Sequence, residues 1–387
     1  MGQRSGAGEG TSALRVLIAP DKFKGTLTGP QAAAAMAAGV RAVLPDAVVE
    51  QLPLGDGGEG TVEAVLATGA GVRRRTCTVP GPLGDPVEAH LALRGATAVI
   101  EVAQACGLQL LDPTPDSALR ASSAGVGLLV REAWAAGSTR VILGLGGVAC
   151  TDGGVGLATE LGAEFLDADG AAVGPGELHR VSRVRVDGLD PRVSSTTFVA
   201  ATDVTNPLLG PTGAAAVYGP QKGAGPDEVE LLDRGLRTVA DVVETDLGTG
   251  VRDLPGAGAA GGLGWGLVTF LDARIQAGGD LVMDLIGLPA ALTRASLVLT
   301  GEGKLDAQSR YGKGPVALAA RAAGGGVPTI AVAGTVDAEG REDTGFAAVW
   351  SLVEEVGVDA ALDDTATSLT EVTARALRRW IEPAGHA

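Results

Sequence analysis

The chain is poor in the residues that usually announce a function. Of its 387 residues only 3 are histidine and 3 are cysteine, and aromatics make up 3%. Cys77, Cys106 and Cys150 are far apart, odd in number and in no CxxC pair. They build neither a disulfide framework nor a zinc site and suit a reducing cytoplasm. His90, His179 and His386 are isolated, and His90 lies in a strand-like run where a structural role is expected. Basic charge is short: 30 Lys and Arg against 46 Asp and Glu leave a net charge of −16. A protein that neutralises phosphate backbones needs a basic face, and only Arg73, Arg74 and Arg75 cluster, so nucleic acid is excluded as a partner. No apolar run is long enough to span a bilayer, and MGQRSGAGEGTSA has no apolar signal core. Residues 1–13 are read as a disordered extension, and no membrane partner is expected.

What the chain has is glycine, 60 residues of it. With few aromatics the core must come from Ala, Val and Leu, and the glycines mark turns and close backbone approaches. The chain opens β-loop-α-β-loop-α. LRVLIAP runs into DKFKGTLTG, then a helix starts where Thr28 and Gln31 form a capping-box pattern with Pro30 in the first turn and Pro45 beyond its end. VVEQLPL leads into GDGGEG and a helix from Thr61 to Thr68. That alternation favours a parallel sheet. From Val72 to Val102, strand-like runs follow one another across turn signals such as PGPLGDP, which favours hairpins or a mixed sheet. An amphipathic helix, DEVELLDRGLRTVADVVET, lies later. The last third returns to α/β alternation, and Ser368 with Glu371 marks the start of its final helix. The reading is an α/β protein of two domains: one built from both chain ends (14–78 and 285–387), the other a mixed α/β domain inserted as 79–284.

Four loops share one design, an apolar strand followed by glycine and carboxylates: LGDGGEGT with Asp56 and Glu59, GLGGVACTDGG with Asp152, VAATDVTNPLLG with Asp203 and Asn206, and LVLTGEGKLD with Glu302 and Asp306. Asp and Gly after a strand are ordinary turn residues, so one such loop alone says little. Four of them, each after an apolar run, point to a site, because ligands of open α/β sheets bind beyond the carboxyl ends of the strands. Glycines there let backbone N–H groups approach an anion, and carboxylates suit Mg²⁺ held together with substrate phosphates. Lysine is scarce, and Lys22, Lys24, Lys222, Lys304 and Lys313 all lie in glycine-containing loops. Metal, lysine and carboxylate together are the parts of phosphoryl transfer. No GxxxxGK[ST] and no GxSxG is present. GAGAAG, with Gly256, Gly258 and Gly261, matches GxGxxG but follows no apolar strand, so it reads as a ligand-facing helix start. Ser122 and Ser123 precede Gly125 and Gly127 at a helix start, where they would bind a phosphate or carboxylate or cap the helix.

Taken in order, IAPDKFKGTLT, LGDGGEGTVEAV, GLGGVACTDGGVG, ATDVTNPLLGPTGAAAVYGPQKGA, PGAGAAGGLGWGL and TGEGKLDAQSRYGKGP resemble the bacterial glycerate kinase family of the glyoxylate-pathway and galactarate-pathway type, over nearly the whole chain from Leu14. The resemblance implies ATP-dependent phosphorylation of D-glycerate with Mg²⁺, 2-phosphoglycerate as the favoured product, and a flavodoxin-like α/β/α domain split by an inserted one. Lys24, Asp56, Glu59, Asp152, Asp203, Asn206, Gln221, Lys222, Glu302, Asp306 and Lys313 fall on family motifs. It implies Asp203 and Asp306 as general base or Mg²⁺ ligand, and Lys24 and Lys313 as the charges facing phosphate or the substrate carboxylate. Asp56, Glu59, Asp152, Asn206, Ser122 and Ser123 stand as substrate-binding candidates. Gly301, Glu302, Gly303, Gly258, Gly261 and Lys222 stand as nucleotide-binding candidates. Val126, Val148, Cys150 and Thr151 depart from the family's polar pattern, which keeps open a kinase for another hydroxy acid or a non-catalytic binding relative. The sequence is compatible with a monomer and with a homodimer.

Overall fold

The computed structural model describes residues 14–55, 57–69, 71–306, 314–342 and 344–382. The extension 1–13, Asp56 and Lys313 lie outside the described residues. Two units are distinct: Met1–Leu54 with Gly287–Ala387, and Gly55–Ile286. Among the described residues no helix is long and apolar enough to cross a membrane.

The first unit is built on five parallel strands, β1 (Arg15–Ile18), β2 (Val48–Gln51), β11 (Leu297–Thr300), β13 (Thr329–Ala333) and β15 (Ala348–Ser351), in the order β15-β13-β11-β1-β2. The pairing sets Ile18 beside both Leu299 and Gln51. The middle strands are near-continuous runs of buried aliphatics, Val16 to Ile18, Leu297 to Thr300 and Thr329 to Ala333. That pattern belongs to a parallel sheet covered on both faces. Counted in their own sequence, these strands run 2-1-3-4-5, the flavodoxin-like order, whose direction reverses between the first and third. Helix Gly29–Val43 starts as its sequence predicts: Thr28 accepts from Gln31 N, and the Gln31 side chain accepts from Thr28 N. It lies against helix Thr365–Ile381 so closely that a Cβ on Gly39 would meet Thr370 O at 2.5 Å. The last helix begins three residues before the expected Ser368. Asp364 caps it by accepting from Thr367 N, and the Ser368 hydroxyl instead donates to Ala360 O. A two-stranded parallel ribbon, β12 (Lys304–Leu305) with β14 (Thr335–Val336), extends the tip of β11.

Among the described residues, the main sheet of the second unit has six strands, β3 (Val72–Pro80), β4 (Pro86–Arg94), β5 (Thr97–Glu101), β6 (Arg140–Gly144), β9 (Thr197–Ala201) and β10 (Arg274–Gln276), in the order β10-β9-β6-β5-β4-β3. Four run parallel; β4 and β3 return antiparallel through the PGPLGDP turn, where Pro80 pairs with Pro86. The mixed sheet expected for this stretch is therefore present. A small antiparallel pair, β7 (Glu164–Leu166) and β8 (Arg183–Arg185), stands apart. Helix Pro226–Leu247 buries Leu232, Leu236, Val239 and Val243, one stripe at helical spacing. The few aromatics are concentrated here in edge-to-face pairs, Trp134 with Phe198 and Phe270 with both Phe165 and Trp265. His90 Nε2 sits 2.9 Å from Glu63, the structural role expected of it.

The division between the units falls after Leu54, where the strand-helix alternation had placed it at 78. The cause is helix Thr61–Ala67. It buries Val62 and Val65 and takes a side-chain bond from β5, so it belongs with the mixed sheet although its sequence continues the opening alternation.

Candidate active site

The second unit brings its loops to one edge through strand register. Glu101 pairs with Gly144, Gly144 with Ala201, and Ala201 with Gln276, so the last residues of β5, β6, β9 and β10 stand in one row. The Gly57–Gly60 loop lies on that row backbone against backbone. A Cβ on Gly144 would stand 2.0 Å from Gly57 O, and one on Gly146 would stand 2.6 Å from Gly58 Cα. Gly57, at φ +83, packs between Gly278 and Ala201. A methyl group at 144 must push the loop off the sheet. Gly144→Ala is expected to cost about 1–3 kcal/mol of stability. Gly174→Ala, where an added Cβ meets nothing within 4 Å, is its control and should stay within about 0.5 kcal/mol of the parent. Thermal melting of the two variants is the measurement, and equal midpoints would refute the packing argument.

Three carboxylates follow these strand ends, and each accepts from the first turn of a helix. Glu101 accepts from Val62 N at 2.6 Å. Asp203 Oδ1 accepts from Gly278 N at 3.0 Å, where helix Gly278–Leu285 begins. Asp152 serves two helices: its Oδ2 accepts from Ser123 N, Ser123 Oγ and Gly156 N, and its Oδ1 from Gly154 N. A carboxylate at a helix N-terminus answers both the orphan N–H groups and the dipole. Exposure separates the three. Asp152 is 1% exposed and Glu101 is 5% exposed, whereas Asp203 reaches solvent in part. At the helix start where the sequence placed a bound phosphate or carboxylate, Ser123 holds the protein's own Asp152 carboxylate. The Ser122 hydroxyl accepts from Ala124 N.

Asn206 is oriented from both ends: its Nδ2 donates to Thr212 O, and its Oδ1 accepts from Tyr218 Oη at 2.9 Å. Gly258 N donates to Asn206 O, and a Cβ there would meet Pro207 O at 2.2 Å. Ala260, Gly261 and Gly262 follow in left-handed backbone. For Ala260 that conformation is strained by about 1–2 kcal/mol, and Gly261 leaves room only for Cys150 O, 2.0 Å from a Cβ position. Lys222, read from sequence as a nucleotide ligand, is 2% exposed and turned inward. Its Nζ donates to Cys150 O at 2.6 Å and to Thr151 Oγ1 at 3.3 Å, and burial pushes its pKa down. Contact with the Cys106 thiol, with burial, pushes the Cys150 thiol well up, away from thiolate chemistry. Val126, Val148 and Cys150 belong to the hydrophobic core, at 0%, 6% and 0% exposure. Three of the four departures from the family pattern are therefore packing residues, and the fourth, Thr151, supplies a partner for Lys222. Glu59 is exposed at the loop tip.

In the first unit the loops after β1 and β11 flank the reversal of strand order, the place where such sheets bind ligands. They are tied to one another: Asp21 N donates to Gly301 O at 2.8 Å, Thr300 Oγ1 donates to Ala19 O at 2.7 Å, and a Cβ on Gly303 would stand 3.1 Å from Lys24 N. Lys24 is exposed. Glu302 O and Gly303 O accept from Gly334 N and Thr335 N, which fixes the TGEG turn onto the next strand's loop. Lys304 lies 3.2 Å from Asp306 and 3.7 Å from Asp337, and its hydrogen bond to Asp306 pushes the amine's pKa up.

The structure thus gathers Glu59, Asp203, Asn206, Gly258 and Gly261 on the loops of the second unit, and Lys24, Gly301, Glu302, Gly303 and Asp306 on those of the first. Within the second unit it buries Asp152, Ser123 and Lys222 beneath that unit's own loops. Sequence reading missed Glu101, because no glycine follows TAVIE, and it passed over Asp337, although TIAVAGTVD repeats the design of strand, glycine and carboxylate. Among the described residues no group of three or more His, Cys, Asp or Glu could hold a metal by itself. The accessible oxygens of Asp203 and Asp306 are hard donors of the kind that fits Mg²⁺ bound through one or two carboxylates and completed by substrate phosphate.

The model of the glycerate kinase family matches residues 16–381. A glycerate kinase of Bacillus subtilis (strain 168) is 42% identical over 347 residues, 88% of this chain and 90% of its own. The glycerate 2-kinase of Escherichia coli (strain K12) is 39% identical over 350 residues, 89% of this chain and 92% of its own. A crystal structure from Salmonella typhimurium LT2, carried under the name "putative glycerate kinase 2", superposes with a TM-score of 0.84 at 38% identity, covering 95% of this chain and 98% of its own. The chain belongs to the glycerate kinase family and is, as an enzyme, a kinase.

Proposed function

We propose that the chain transfers the γ-phosphoryl group of ATP to the 2-hydroxyl of D-glycerate, giving 2-phosphoglycerate and ADP, in the cytoplasm. The observation that carries this reading is Asp203. Among the described strand-end carboxylates of the second unit it alone is both oriented by a backbone donor and open to solvent. It can therefore meet a ligand without unfolding a helix cap.

The roles of the described residues follow from accessibility, and those of Asp56 and Lys313 from the family resemblance alone. Asp203 is placed to accept the proton of the substrate hydroxyl or to hold Mg²⁺, and Asp306 is its counterpart in the first unit. Mg²⁺, when bound, neutralises charge on the phosphates. Lys24 and Lys313 supply positive charge toward phosphate or the glycerate carboxylate. Asp56 and Glu59 are assigned to the glycerate diol, and Asn206, already oriented by Tyr218, to a substrate oxygen. Backbone amides of Gly301, Gly303 and Gly261 are assigned to the nucleotide, and Gly258, whose N–H is held by Asn206 O, shapes the loop. Asp152, Ser123 and Lys222 shape the loops and do not touch the ligand. Fixed positioning by these rigid loops is the main source of rate. The buried placement of Val126, Val148 and Cys150 supports glycerate over a different hydroxy acid, since no ligand-facing group is lost with them.

Incubation with ATP, Mg²⁺ and D-glycerate, followed by phosphorus NMR, is expected to give the resonance of 2-phosphoglycerate. A 3-phosphoglycerate resonance would overturn the regiochemistry. ADP release with another hydroxy acid but not with glycerate would overturn the substrate.

A further inference from the structure

Glu101 closes β5, and the proposed reaction makes no use of it. It is 5% exposed, in a strand whose other buried members, Ala98, Val99 and Ile100, are apolar. A carboxylate in such a place costs several kcal/mol of desolvation unless something compensates it, so its presence calls for a reason. Its partner supplies one. Val62 N, 2.6 Å away, is the second residue of the helix that leaves the Gly57–Gly60 loop. That loop reads Gly57, Gly58, Glu59, Gly60, with φ of +83° at Gly57 and +95° at Gly60. It has no apolar side chain to bury, and glycine adds backbone freedom that its contacts must offset. Contacts with Gly144 and Gly146 support it from below, and Glu101 ties down its far end.

We propose that Glu101 is a positioning residue for the reaction: by holding Val62 N it fixes the Gly57–Gly60 loop and sets the Glu59 carboxylate for the three-carbon acid. The proposal rests on the reading that this loop meets the hydroxy acid. A charge-assisted bond is shorter and stronger than a neutral one, and a neutral side chain of equal reach can replace it only if it still accepts a hydrogen bond.

The test compares Glu101→Met, similar in volume with no carboxylate, and Glu101→Gln, which keeps an acceptor oxygen. Steady-state kinetics with ATP and D-glycerate, calorimetric titration of D-glycerate alone and hydrogen exchange over residues 57–62 are the readouts. Glu101→Met should raise KM and Kd for glycerate about tenfold or more, since small misplacements in a site are costly. KM for ATP should stay within about twofold and exchange over 57–62 should quicken, while Glu101→Gln restores most of the affinity. Should the Met variant fail to fold, Glu101→Asp, one methylene too short, carries the same comparison. Wild-type glycerate affinity in the Met variant, or equal rises in KM for both substrates that track lost thermal stability, would overturn the proposal. A wild-type protein that binds no glycerate would instead refute the substrate reading, and unchanged exchange at Val62 in the Met variant would then refute the positioning role on its own.

Discussion

Asp203→Asn should lower kcat by about a hundredfold to ten-thousandfold, the range that removal of a positioned acid or base produces. The structure explains why the fold should survive. The Asn carbonyl oxygen can still accept from Gly278 N, the bond that Asp203 Oδ1 makes now, so the start of helix Gly278–Leu285 keeps its cap. A large loss of turnover with an unchanged melting midpoint is the expected pair of results. Asp306→Asn is expected to act alike on rate. It also removes the charge that Lys304 pairs with at 3.2 Å, a pair in which Lys304 is 59% exposed and which adds little stability. If both variants turn over at the wild-type rate, neither carboxylate serves as base or metal ligand.

Asp152→Ala should show the opposite signature, a large loss of stability. Its carboxylate is fully enclosed and satisfies Ser123 N, Ser123 Oγ, Gly154 N and Gly156 N. Removal leaves those donors without a partner at the starts of helices Ala124–Ala135 and Val155–Glu160. Each buried unsatisfied donor costs about 1–3 kcal/mol, and partial wetting of the cavity offsets some of it, so a loss of about 4 kcal/mol is expected. For a unit of this size that lowers the melting midpoint by roughly 10 °C. Asp152→Asn should be milder, although its NH₂ group must then face one of the donors. Calorimetric melting decides the matter. A midpoint within about 2 °C of wild type for the Ala variant would show that water replaces the carboxylate at little cost.

Asp152 and Asp203 mark where the sequence was readable and where it was not. The loop design of strand, glycine and carboxylate located Asp152 and Asp203 equally well, because both obey the same local rule. What separates them is burial, and burial depends on which helices return to those loops from distant parts of the chain. The same limit hid the inward turn of Lys222. A lysine in a glycine loop looks like a phosphate ligand until Cys150 O and Thr151 Oγ1 are seen beneath it. Local chemistry, by contrast, was legible. Thr28 with Gln31 gave a helix start, and PGPLGDP gave a hairpin, since caps and turns are decided within a few residues. At the last helix two local signals competed, and Asp364 won over Ser368. Glu101 was invisible for a different reason: nothing near it in sequence says that Val62 N, 39 residues earlier, will need an acceptor.

The division of the chain has a consequence for how the protein is made. The second unit is one uninterrupted stretch, Gly55–Ile286, whereas the first is interrupted by it. Strand β1 pairs with β2 soon after both leave the ribosome, but its other neighbour, β11, lies at Leu297–Thr300. At ordinary rates of synthesis the intervening stretch takes on the order of tens of seconds to emerge. Throughout that interval one side of a nearly all-apolar strand, Val16 to Ile18, has no ladder partner. Yield in a foreign host should therefore respond to translation speed and to chaperones that shield nascent strands more than to the stability of the finished enzyme.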